Sequence, residues 1–137
     1  MNKIEHIGIA VKNLETAIPL WEQLLGTNCY KKEEVASESV LTAFLAAGPN
    51  KIELLQSLTE DGVINKFISK KGEGIHHLAF EVDDIRAEMK RLKEAGFELL
   101  NEEPKIGADN KLVCFLHPKG SSGVLVELCQ EILKNVL

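Results

Sequence analysis

No stretch of this 137-residue sequence stays apolar for the roughly 20 residues a bilayer-spanning helix needs, which excludes that class of membrane protein. Cysteine is scarce. Cys29, Cys114 and Cys129 form an odd count at no metal-type spacing, so neither a disulfide framework nor a thiolate zinc site is indicated, and three reduced thiols suit the cytosol. Positive charge is short too, with 16 Lys+Arg against 21 Asp+Glu and a net charge of −5. No sequence-wide basic field therefore exists to hold nucleic acid or an anionic membrane, and a small anionic substrate needs local help from a metal or a few lysines. Met1 leads straight into the apolar pattern of Ile4 to Val11 without a basic region, an apolar core or a small-residue cleavage site, so a cytoplasmic protein is expected.

What is present is ordinary globular composition, 45% hydrophobic and 27% charged, in a length that suits one domain with a sizeable core. The informative feature is an internal repeat. IEHIGIAVKNL from Ile4 lines up with IHHLAFEVDDI from Ile75, so that His77 follows His6 by 71 residues. At the same shift Phe44 and Leu45 fall on Phe115 and Leu116. After three inserted residues around HPKGSSG, KIELLQ from Lys51 matches LVELCQ from Leu125, which places Glu127 74 residues after Glu53.

Each copy reads as a period-2 strand, a helix and three further strands. The first helix carries Leu14, Ala17, Ile18, Trp21, Leu24 and Leu25 at helical spacing, and the second carries Ile85, Met89, Leu92 and Ala95. Asn13 and Asp84 are the expected N-caps, Gly26 and Gly96 the left-handed C-terminal residues, and Pro19 should distort the first helix. The remaining strands are expected at about 28–34, 39–47 and 51–56, then at about 97–102, 111–117 and 124–130, with Asp61 capping a linking helix over about 62–71. The expected fold is α+β: two tandem βαβββ modules forming a curved, mostly antiparallel sheet around a metal-binding cleft. It is expected as a single domain over 1–137, with module one at 3–57, the linking helix at 61–73 and module two at 74–131.

Alternation along the strands separates two faces. Ile7, Ile9 and Val11 match Leu78, Phe80 and Val82 on the face that meets the helices, and Ile52 and Leu54 match Val126 and Leu128. His6, His77, Glu53 and Glu127 all look the other way. A lone strand histidine is more often a hydrogen-bonded structural residue, and a lone glutamate in such a strand is usually solvated. The coincidence of both residue types at matching places in both copies favours a shared function instead. If the copies pair about a pseudo-twofold axis, two imidazoles and two carboxylates meet in one cleft, where unpartnered carboxylates cost several kcal/mol each. A divalent cation removes that cost, and an N₂O₂ set suits Co²⁺, Ni²⁺, Mn²⁺, Zn²⁺ or Fe²⁺. His76 is expected on the helix side in a structural role, His117 before Pro118 in a turn, and Cys129 as an inert thiol beside Glu127.

These motifs carry a resemblance. KIEHIGIAVKNLETAI, KIELL, GEGIHHLAFEVDDI, NEEPKIGA and FLHPKGSSGVLVELCQ together resemble the methylmalonyl-CoA epimerases of the vicinal oxygen chelate superfamily over nearly the whole length. The resemblance implies metal ligands at His6, Glu53, His77 and Glu127, one divalent ion with Co²⁺ favoured over Zn²⁺, Ni²⁺ or Mn²⁺, and an acyl-CoA substrate. The implied reaction is interconversion of (2R)- and (2S)-methylmalonyl-CoA, with Glu127 as acid/base and a metal chelating the thioester carbonyl and free carboxylate. Thr42 stands where some of these epimerases place a second catalytic glutamate, leaving a metal-bound water or Glu38 for the opposite face. A homodimer is expected, because paired modules often present an open sheet edge. The competing readings are a glyoxalase I-like lactoylglutathione lyase and a non-catalytic resistance protein that sequesters a small molecule.

Overall fold

The structure is a computed structural model that describes residues 1–132; the last five positions of the expected 1–137 domain lie outside the described residues. The fold is α+β and the βαβββ order occurs twice. The first run is β1 (Lys3–Ala10), α1 (Leu14–Leu25), β2 (Lys31–Val35), β3 (Val40–Ala47) and β4 (Asn50–Ser57). Helix α2 (Val63–Lys71) follows. The second run is β5 (Gly74–Glu81), α3 (Ile85–Glu94), β6 (Lys105–Gly107), β7 (Lys111–Leu116) and β8 (Val126–Glu131). The chain divides into two compact units, His6–His77 and Met1–Glu5 with the chain from Leu78 onward, so the boundary passes through β1 and β5. Among the described residues no helix is long and apolar enough to cross a membrane.

Within each unit one strand pair is parallel and the others are antiparallel. In the His6–His77 unit, β1 runs parallel to β4, β4 antiparallel to β3, and β3 antiparallel to β2. In the other unit, β5 runs parallel to β8, β8 antiparallel to β7, and β7 antiparallel to β6. The helix-facing residues anticipated from alternation build the cores. Ile9, Val11 and Leu54 pack with Leu14 and Ile18 of α1, and Val82, Val126 and Leu128 pack with Ile85, Met89 and Leu92 of α3.

The repeat extends to the helix ends. Asn13 accepts from the Glu15 N–H at 2.8 Å and Asp84 from the Ala87 N–H at 3.1 Å. A second cap comes from the closing strand of each run. Gln56 Oε1 accepts from the Leu14 N–H at 2.7 Å, and Gln130 Oε1 accepts from the Ile85 N–H at 2.8 Å. The two glutamines that match between KIELLQ and LVELCQ thus satisfy one of the orphan donors at each helix start and tie helix to strand.

Four expectations are corrected. Residues 97–102 form no strand; only an isolated Leu99–Leu116 bridge remains, and the strand of this run is β6 at Lys105–Gly107. The cause is local: Asn101 Oδ1 takes the Phe115 N–H at 3.2 Å in place of a main-chain carbonyl, and Pro104 brings no donor for a ladder. Helix α2 starts from Gly62, because the Asp61 carboxylate instead accepts from the Thr59 hydroxyl at 2.8 Å. Ser57 Oγ supplies the cap, accepting from the Asn65 N–H at 2.8 Å. Leu24 is 67% exposed, since at about 100° per residue it lies well off the stripe of Leu14, Ile18 and Leu25. Ala95, placed on the apolar stripe of α3, is instead its exposed C-cap. Helix α1 runs unbroken through Pro19.

Because the Leu14 and Ile85 amides are buried with their residues, Gln56→Ala and Gln130→Ala should each cost about 1–3 kcal/mol in chemical denaturation. Equal stability of wild type and either variant would show that water replaces the cap without loss.

Candidate metal centre

Strand register fixes which side chains share a face with Glu53. Across β4 and β1, Lys51 stands opposite His6 and Glu53 opposite Gly8; across β4 and β3, Glu53 stands opposite Phe44. His6 and Glu53 therefore rise from neighbouring strands on one face, two residues out of register. His77 arrives from β5, and its ring lies against Gly8: a Cβ built there would stand under 3.0 Å from Cε1, Nδ1 and Nε2. Only glycine leaves room for that imidazole.

The three side chains converge. His6 Nε2 lies 3.0 Å from His77 Nε2, and Glu53 Oε1 lies 3.3 Å from His6 Nε2 and 3.4 Å from His77 Nε2. The imidazoles meet edge to face, with centroids 5.1 Å apart at 88°, which aims both Nε2 atoms at the carboxylate. His6, Glu53 and His77 are only 6%, 4% and 3% exposed. Burial pushes the Glu53 carboxyl pKa up, the largest single influence, but the hydrogen bonds and charges of His6 and His77 together outweigh it and hold it below its ordinary value. The group is thus an anion at neutral pH.

The donor set fits a divalent cation. With bonds of about 2.0–2.1 Å, cis ligands of an octahedron stand about 3.0 Å apart and ligands of a tetrahedron about 3.4 Å apart. The separations of 3.0, 3.3 and 3.4 Å span that interval. Glu127, the fourth expected ligand, lies in the other compact unit. It is buried on β8 at 7% exposure, directly opposite Phe115 on β7, as Glu53 is opposite Phe44. The phenylalanine that matches at the repeat shift therefore stands opposite the glutamate on the neighbouring strand in both runs.

Other polar residues occupy the places expected or depart from them. His117 Nδ1 accepts from the Lys119 N–H at 3.0 Å and starts a short 3-10 turn at Pro118. Cys129 is buried with Ala79 and Val113. The Thr42 hydroxyl donates to the Glu33 main-chain carbonyl at 3.3 Å and the residue is buried, so it serves the sheet. His76 packs edge-on against Phe67 of α2, as a helix-side residue should, but its Nδ1 also lies 3.0 Å from His77 Nδ1. Neither Gly8 nor this second contact was found by sequence reasoning.

The family model of the Glyoxalase/Bleomycin resistance protein/Dioxygenase superfamily matches residues 5–115. An ethylmalonyl-CoA/methylmalonyl-CoA epimerase of Cereibacter sphaeroides is 42% identical over 132 residues, covering 95% of this chain and 98% of that one. Methylmalonyl-CoA epimerase from Mycobacterium tuberculosis superposes with a TM-score of 0.91 at 35% identity, covering 96% of this chain and 89% of that one. A variant of the Streptomyces coelicolor methylmalonyl-CoA epimerase in complex with 2-nitronate-propionyl-CoA superposes with a TM-score of 0.93 at 31% identity, over 97% of this chain and 99% of that one.

Gly8→Ala should displace the His77 ring, cost about 1–3 kcal/mol by overpacking and abolish divalent-ion binding in the folded protein. Thermal denaturation and a metal titration check this; a variant that binds metal like wild type would remove Gly8 from the centre.

Proposed function

The chain belongs to the Glyoxalase/Bleomycin resistance protein/Dioxygenase superfamily, and from that premise we propose that it is a methylmalonyl-CoA epimerase that inverts C2 of its acyl-CoA substrate at a divalent metal centre. The observation that carries the reading is the buried convergence of His6 Nε2, His77 Nε2 and Glu53 Oε1, in a chain 42% identical to an enzyme named for this reaction. Glu127 completes the ligand set in our reading, as the repeat partner of Glu53, with Co²⁺ favoured over Zn²⁺, Ni²⁺ or Mn²⁺.

Epimerisation breaks the C2–H bond on one face and forms a new one on the other, with no net change in atoms. A bound divalent cation supplies Lewis-acid polarisation of the thioester carbonyl and so acidifies C2. His6, His77 and Glu53 hold their donor atoms in fixed directions, because strand pairing and the bare face of Gly8 leave their side chains no alternative room. Glu127, as carboxylate, takes the C2 proton from one face, a proton delivered to the opposite face by Glu38 or a water completes the inversion, and Glu127 then gives its proton up to solvent. The burial of all four residues excludes bulk water, which strengthens each electrostatic contact. Thr42 contributes no base here, since its hydroxyl is committed to the Glu33 carbonyl. A nitronate has the planarity and charge of the enolate this reaction passes through, and the similar Streptomyces enzyme holds a nitronate of propionyl-CoA.

Elemental analysis of purified protein, coupled to exchange of the substrate C2 proton into deuterated water, tests the reading. Methylmalonyl-CoA should exchange and a glutathione hemithioacetal should not; the reverse would make the chain a lactoylglutathione lyase. A protein without any divalent ion and without exchange would be a small-molecule-binding relative instead.

Glu127→Gln should lower turnover by about 10²–10⁴-fold, and His77→Ala should lose the metal along with activity. Full turnover by Glu127→Gln would remove the proposed base.

A further inference from the structure

We propose that His76 is a positioning residue: its Nδ1 accepts the proton on His77 Nδ1 and thereby fixes the tautomer and ring orientation of His77. The proposal rests on the metal-centre reading for its purpose, but its geometric part stands on the imidazole pair itself.

Two ring nitrogens 3.0 Å apart, as His76 Nδ1 and His77 Nδ1 are, attract only when one carries hydrogen and the other a lone pair. Two lone pairs or two N–H groups at that distance repel. The other nitrogen of His77 decides which arrangement holds. Its Nε2 points at His6 Nε2 and Glu53 Oε1, at 3.0 and 3.4 Å, and to hold a cation there it would have to offer a lone pair. The proton of neutral His77 therefore belongs on Nδ1. His76 then accepts at Nδ1 and keeps its own proton on Nε2.

His76 is itself held in place. Its ring meets Phe67 of α2 edge-on, with centroids 4.9 Å apart at 79°, and Lys71 Nζ lies 5.8 Å from the centroid of the same Phe67 ring. On the opposite side the His77 ring rests on Gly8. The linking helix is thereby connected to a ligand of the centre through one packed ring and one hydrogen bond. Histidine ligands commonly give their second proton to a carboxylate, a backbone carbonyl or a water. An imidazole in that place sets the tautomer equally well while adding no negative charge beside the carboxylate of Glu53. The cation then keeps more of its Lewis acidity than it would with an anionic partner behind His77.

Two variants separate positioning from packing. His76→Phe keeps the ring against Phe67 and removes the acceptor; His76→Asn keeps an acceptor oxygen. The His77 tautomer is read in metal-free protein from two-bond nitrogen–proton correlation spectra at about pH 8, and Zn²⁺ affinity is read by chelator competition. Wild type should show His77 protonated at Nδ1. His76→Phe should shift His77 toward the Nε2-protonated form that free neutral histidine favours and weaken Zn²⁺ binding by about 10–100-fold, and His76→Asn should restore most of both. Wild-type His77 protonated at Nε2, or an unchanged tautomer and affinity in His76→Phe, would overturn the proposal. If His76→Phe fails to fold, the wild-type spectrum and His76→Asn still decide it. Wild type that shows the Nδ1 tautomer yet binds no Zn²⁺ would sink the metal centre and leave the imidazole pair standing.

Discussion

Three lone-pair donors facing one another in a buried pocket are what the rest of this structure has to accommodate. His6 Nε2, His77 Nε2 and Glu53 Oε1 stand 3.0–3.4 Å apart with almost no exposure. Without a proton or a cation among them that arrangement sets lone pairs against each other and leaves a carboxylate stripped of water, at a cost of several kcal/mol. A proton on an imidazole offsets part of that cost, which is why Glu53 stays ionised despite its burial. A divalent cation offsets more, because it meets all three donors at once. A buried cluster of this kind favours a positive charge among its donors.

Duplication supplies the rigidity that such a cluster needs. Each run places a glutamate on its closing strand opposite a phenylalanine, Glu53 with Phe44 and Glu127 with Phe115. Each also uses the glutamine three residues further on to hold the helix that covers the opposite sheet face. The ligand face and the helix face of a closing strand are thus fixed by one short sequence, ELLQ in the first run and ELCQ in the second. A shift of that strand by one residue would bury the wrong side chains on both faces and undo the cap in the same move.

What could be read in the sequence was whatever repeats or alternates. His6 and Glu53 were separable from Ile7 and Leu54 because alternation assigns them opposite faces, and their matches at His77 and Glu127 made the pattern visible. Asn13, Asp84 and Gly26 were legible as caps because capping depends on a few adjacent residues. The errors came from competition that only three dimensions resolve. Asn101 replaced a main-chain carbonyl in the ladder beside Phe115, so the expected strand at 97–102 gave way to a shorter one at Lys105–Gly107. Asp61 found Thr59 before it found a helix amide. Gly8 escaped notice, and His76 was legible only as a helix-side residue, because their importance lies in the His77 ring: nothing in the strand containing Gly8 announces that an imidazole from a distant strand will lie across it.

Charge explains why two carboxylates are compatible with catalysis at such a centre. With neutral imidazoles, Glu53 and Glu127 balance a divalent ion, so the proposed loaded site carries no net charge before substrate arrives. A substrate bringing a free carboxylate then adds one negative charge to a low-dielectric pocket, where its interaction with the cation is strong. Glutamate rather than a neutral amide at position 53 weakens that attraction and raises the energy of the bound substrate, but it also fixes the ion more firmly and suits a harder cation. The neutral imidazole of His76 behind His77 moves the balance the other way. One residue in the ligand set adds anionic charge and one residue behind it withholds it, and the acidity conferred on the substrate depends on their sum.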